Sequence, residues 1–138
     1  MHIPIPSNQM LLYGIAAAAA LVYFPYFFVA YERLNVGMDL SAPRAMFDKL
    51  PPYAQRATWA HQNSLEIFMI FSAAALMVYV SGTASEQTNL FVIAFLGLRF
   101  GYNISYITDI PILRSLCWAT SVACIMGLML TSFTTLAA

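Results

Sequence analysis

Charge is the scarcest feature of this chain. Only 9% of its 138 residues are Asp, Glu, Lys or Arg, against roughly 25% in soluble globular domains, so the composition belongs to the membrane class. Six basic and six acidic side chains cancel, which excludes the basic field that nucleic-acid binding needs. Long polar stretches are also missing. The longest runs from about Glu32 to Gln55 and is too short to bury a core of its own, so a single membrane domain is expected.

Cysteine and histidine are nearly absent. Cys117 and Cys124 lie in one apolar run, separated on a helix by about 10 Å of rise. That is beyond disulfide reach, and with no CxxC pair a thiol-redox function lacks support, leaving both as packing thiols. The histidines are His2 and His61, and no His, Cys and carboxylate set has metal-ligand spacing, so no metal is expected. A nucleophile elbow for a Ser-His-Asp hydrolase is lacking too.

Apolar runs fill the space that charge leaves. Four occur, at about 9–31, 54–80, 87–106 and 111–136, each near or above the ~20 residues that cross the hydrocarbon. Backbone groups in lipid must be satisfied within the segment, which makes these helices and the fold an all-α four-helix membrane bundle. The first run has no basic segment before it and is too long for a signal-peptide core, so it reads as a retained span. Pro25 inside it predicts a kink or a packing point, and the aromatics from Tyr23 to Tyr31 read as an interface belt. Arg33, Arg44, Lys49 and Arg56 flank the first loop and Arg114 the third, while the other ends carry no basic residue. The positive-inside rule then places those loops in the cytoplasm and both termini on the far side.

Polar groups stand where lipid should be. At about 100° per residue, Trp59, Asn63 and Glu66 fall within roughly 80° of each other and of Arg56, with His61 on another face. On the third helix Tyr102 and Tyr106 fall within roughly 60° of Arg99, forming a second stripe. Glu66 and Arg99 reach comparable depth, which predicts an ion pair between them. Such a pair can be a static clasp or part of a site. Buried ion pairs stabilise poorly, and Arg56, Asn63, Tyr102 and Tyr106 extend the polar surface toward the cytoplasmic side. This arrangement suits a charged small molecule, the default reading of ionisable groups in a membrane helix. Asn103-Ile104-Ser105 matches a glycosylation sequon, discounted because it lies within a helix.

RATWAHQNSLEIF at Arg56–Phe68, followed by LRFGYNISYITDIPILRS ending at Ser115, resembles the MAPEG family, the membrane-associated proteins in eicosanoid and glutathione metabolism. The resemblance covers the whole chain. It implies a homotrimer of four-helix subunits that binds glutathione between neighbours toward the cytosolic side. It further implies that Arg56, His61, Asn63, Glu66, Arg99, Tyr102 and Tyr106 contact the tripeptide, and that Arg114 holds its sulfur as thiolate. A lipophilic electrophile or peroxide would enter from the bilayer. Trp59 stands where glutathione-using members usually place a second arginine, and Ile67 and Met69 depart from the family's aromatic and proline. Two functions follow as expectations. One is a glutathione-dependent transferase or peroxidase; the other is a non-catalytic lipid-binding or scaffold member of the same fold. The short tails lean toward a bacterial inner membrane.

Overall fold

Proline, serine and glycine set the limits of the helices. The computed structural model describes residues 5–136, and no strand occurs among the described residues. Helix α1 spans Ser7–Asn35, α2 Pro52–Ser81, α3 Glu86–Ile107 and α4 Pro111–Leu136. All four are long and apolar enough to cross a membrane. Helices α2 and α4 begin on a proline, whose missing N–H is no loss in the first turn. Ser85 and Thr88 form a reciprocal capping box at the start of α3. Helix α2 ends at Gly82, in the left-handed region with φ 68°, where a side chain would be strained.

The helices overrun the apolar runs mainly at the basic end of the bundle. Hydropathy marks where lipid is, whereas a helix continues until a cap stops it. Between α1 and α2 a 3-10 helix, Pro43–Lys49, folds the first loop back on the bundle. There Leu50 packs in a small core with Val29, Ala54 and Ala57. The Tyr53 hydroxyl donates to the Glu32 carboxylate, fastening the end of α1 to the start of α2.

Helix α1 packs on α2 and α3, and α4 on α3 and α2. At the centre Phe71 of α2 stacks on Phe95 of α3, with ring centroids 3.9 Å apart and planes 2° from parallel. Leu11, Val78, Val92, Ile125 and Leu128 surround them. Gly14 brings α1 close to α3: a Cβ there would lie 2.4 Å from Val92 Cγ1. Between lipid-embedded helices, where no hydrophobic force operates, such close approach is what holds them. Gly14→Ala should lower the thermal unfolding temperature in detergent, because overpacking costs about 1–3 kcal/mol. Adding Val92→Ala should recover much of the loss, since it removes the methyl that clashes.

Candidate functional site

Pro25 lies within α1 and is buried. It deprives the Leu21 carbonyl of its helical N–H partner, and in lipid that carbonyl must find another. Asn103 of α3 supplies it, its Nδ2 donating to Leu21 O at 3.4 Å. The next carbonyl, Val22 O, lies 2.7 Å from His61 Nδ1. A carbonyl only accepts, so Nδ1 carries the proton of this bond. The off-stripe angle of His61 is explained by this bond to α1.

From Asn103 the polar network runs to the centre of α3. Ser64 Oγ donates to Asn103 Oδ1 at 2.9 Å, and Arg99 Nη2 donates to Ser64 Oγ at 3.1 Å and Asn63 Oδ1 at 3.2 Å. The Arg99 guanidinium lies 4.1 Å from the centre of the Tyr102 ring. Arg99 is 3% exposed, and its Nη1 is buried with no hydrogen-bond partner among the described residues. The ladder continues beyond it. Tyr102 meets Tyr106 edge to face at 5.5 Å, and Arg114 stands 4.6 Å from the centre of the Tyr106 ring.

The expected Glu66–Arg99 ion pair is not formed. Asn63 stands between the two, its carbonyl accepting from Arg99 and its amide donating to Glu66 Oε2 over 3.5 Å. Near neighbours on α2 saturate one side of the guanidinium, and Glu66 stays exposed on the surface of the bundle. The ion pair found among the described residues is Arg56 to Asp109, at 3.7 Å. Arg56 Nε also donates to Ile107 O at 3.1 Å, so Arg56 holds the start of α2 to the turn before α4.

Nor do the four residues of the α2 stripe act together. Arg56 and Asn63 turn to α3, whereas Trp59 packs on Phe47 of the first loop, ring centroids 5.5 Å apart. Trp59 lines a groove of about 1070 Å³ between α1, the first loop and α2, together with Arg33, Arg44, Phe47, His61 and Leu65. The loop wall is shaped by Asp39, which accepts from the Ser41 hydroxyl at 2.6 Å, the Ser41 amide at 2.9 Å and the Ala42 amide at 3.3 Å. These bonds, the Ser41 hydroxyl first, hold its carboxyl below the usual carboxylate range.

Sequence reasoning overlooked Ser64 and Asn103, the two residues that join Arg99 to α1. A signal existed: a proline in a membrane span orphans the carbonyl four residues before it, and a polar side chain on a neighbouring span has to answer.

Comparison with family models gives a match to the one described as MAPEG family over residues 10–134. Comparison with curated proteins and with solved structures gives no match.

Asn103→Val should destabilise by about 1–3 kcal/mol by stranding buried polar groups. In a Pro25→Ala background, where the amide of residue 25 can bond Leu21 O, the same change should cost less; equal costs would mean that the asparagine does not serve the carbonyl that Pro25 orphans. The Asp39 turn should depend on pH. A carboxyl whose folded pKa is depressed stabilises above its unfolded pKa, and the contribution is lost as pH falls through the folded value. Amide exchange at Ser41 and Ala42, measured relative to unfolded-chain rates, should therefore lose protection only below the usual carboxylate range.

Proposed function

The chain belongs to the MAPEG family, and from that membership together with the ladder of Arg99, Tyr102, Tyr106 and Arg114 we propose a glutathione-dependent transferase or peroxidase acting on lipophilic electrophiles. The observation that carries the reading is the buried Arg99 guanidinium, whose Nη1 has no hydrogen-bond partner, and which has no carboxylate within ion-pairing distance, among the described residues. A cation in that position costs free energy unless an anion joins it.

The residues present fit glutathione, which brings two carboxylates and an ammonium. Arg99 receives a carboxylate, its planar fork held by Asn63, Ser64 and the Tyr102 face. Glu66, exposed on the bundle surface, receives the ammonium. Tyr102 and Tyr106 offer their rings and hydroxyls. Arg56, which holds the turn before α4, and His61, which bonds α1 on another face of α2, are assigned to the tripeptide by the family resemblance. Bound glutathione supplies the thiol. Arg114, braced on the Tyr106 ring, favours the ionised sulfur by its positive charge, and the apolar surround keeps water from competing with the lipophilic partner.

Glu66 also supports assembly. A carboxylate exposed within a membrane-spanning helix is costly against lipid, and a neighbouring copy covers it in the proposed homotrimer. The first and third loops face the cytoplasm, both termini face the other side, and a bacterial inner membrane houses the assembly. Trp59 favours a second reading. Packed at a tilt against Phe47 in place of an arginine, it enlarges an apolar wall and suits a lipid-binding member without catalysis.

Thermal unfolding in detergent separates the two. A ligand that binds only the folded state raises the unfolding temperature with its concentration. Glutathione should do so saturably, and Arg99→Met should abolish the effect. Arg114→Ala should keep most of the binding, slow conjugation or peroxide reduction by about 10- to 100-fold at neutral pH, and move ionisation of the bound thiol to higher pH. Undiminished rates in that variant would remove the sulfur role. Stabilisation by fatty acid and none by glutathione would favour the second reading.

A further inference from the structure

The turn between α3 and α4 is closed by backbone bonds, yet it carries an acid. Helix α3 ends at Ile107, and the amides of Asp109 and Ile110 fold back to Tyr106 O at 3.3 Å and Ser105 O at 2.8 Å. A helix stopped in this way asks for a left-handed residue at the position of Asp109, and glycine takes it most readily. Asp109 lies there with φ 62°, the one residue other than glycine with positive φ among the described residues. Aspartate tolerates that region better than most side chains, but less well than glycine. The turn itself therefore does not call for a carboxylate.

Arg56 makes use of it. Its Nη1 lies 3.7 Å from Asp109 Oδ2, while its Nε donates to Ile107 O at 3.1 Å. One guanidinium of α2 thus grips the turn at two points, a carbonyl that the end of α3 leaves over and the carboxylate two residues on. The side chains are 23% and 60% exposed, and a pair so open to water adds little stability. What it can fix is position. Ile110, next to Asp109, accepts the Arg114 amide at 3.0 Å as α4 begins. From that first turn Arg114 reaches back over Tyr106, 4.6 Å from the ring centre.

We infer that Asp109 is a positioning residue: held by Arg56, it fixes the turn from which α4 starts and so keeps the Arg114 guanidinium over Tyr106. Pairing with Arg56 also occupies the acid of this corner, and Arg114 has no carboxylate within ion-pairing distance among the described residues. This role rests on the proposed function, in which Arg114 serves the sulfur of bound glutathione. Position and charge predict opposite signs. An anion near a thiol opposes its ionisation, so an Asp109 acting by charge alone would favour thiolate when removed. An Asp109 that positions Arg114 would disfavour it.

Full-length Asp109→Asn in detergent keeps the size of the side chain and removes the charge that Arg56 holds. Asp109→Gly removes it while relaxing the backbone, so a loss shared by both variants, with unfolding temperatures near wild type, is not a folding defect. Arg56 stays intact because it is itself a proposed contact of the tripeptide. In both variants the ionisation of bound glutathione, followed by thiolate absorbance, should move about one pH unit higher, with up to roughly tenfold less thiolate at neutral pH. Conjugation or peroxide reduction should slow by a similar factor with KM for glutathione little changed, and amide exchange at Ile110 and Arg114 should quicken. Added to Arg114→Ala, Asp109→Asn should shift the thiol no further. Thiol ionisation that stays or moves lower, unaltered exchange at Arg114, or a full effect in the Arg114→Ala background overturns the role. The proposed function still stands in those cases if glutathione raises the unfolding temperature of the wild type. If the wild type takes up no glutathione, the proposed function fails and the positioning role falls with it.

Discussion

A backbone carbonyl in hydrocarbon has no water to turn to, and Pro25 creates one. Much of the polar interior follows from satisfying the break it makes in α1. Asn103 answers Leu21 and His61 answers Val22, so α3 and α2 are both fixed against α1 at the same level. Asn103 must then place its own carbonyl, which accepts from Ser64. Ser64 in turn accepts from Arg99. A single missing N–H is thereby linked, bond by bond, to the position of a buried cation two helices away. The proline's missing N–H is thus tied to the fixed polar neighbours without which a guanidinium at that depth would be unsupported.

Those neighbours do not neutralise Arg99. The Tyr102 ring contributes about 2 kcal/mol for a well-desolvated cation, and the hydrogen bonds that Arg99 donates to Asn63 and Ser64 orient the group without supplying negative charge. A clasp between α2 and α3 would have set Glu66 directly on Arg99. Asn63 instead separates them and leaves the carboxylate outside and one guanidinium N–H free. The separation weakens the clasp reading and strengthens that of a site, because opposite charges held apart at one level can each take a different group of a zwitterionic ligand. Arg114 over Tyr106 extends the same pattern toward the third loop.

The four spans, the all-α fold and the family were legible because each rests on a pattern that survives without coordinates: long apolar runs, and fixed offsets of polar residues within them. The comparable depth of Glu66 and Arg99 was legible too, since rise per residue is nearly constant. Lateral geometry was not. A wheel places Trp59 within the stripe of Arg56 and Asn63, yet α2 is packed on two sides, and Trp59 falls on the boundary where Phe47 of the first loop decides its direction. That loop carries no periodicity from which its return to the bundle could be read. Asn103 was rightly placed inside a helix and its sequon discounted. Its role came from Pro25, which lies 78 positions earlier in the sequence and becomes its neighbour only through packing.

The two polar surfaces of α2 bear on how copies of the chain could meet. Arg56 and Asn63 look toward α3, while Trp59, His61 and Leu65 look into the groove beside α1. A two-fold dimer buries the same surface twice, so it covers either the groove side or the ladder side and leaves the other against lipid. Head-to-tail contact joins one side to the other, and repeated around an axis it closes into a ring with neither left over. In water an uncovered polar face is harmless. In a bilayer it carries the cost of every charged group on it, Glu66 among them. The polarity that makes the proposed site possible is thus also a physical reason for the proposed trimer to close.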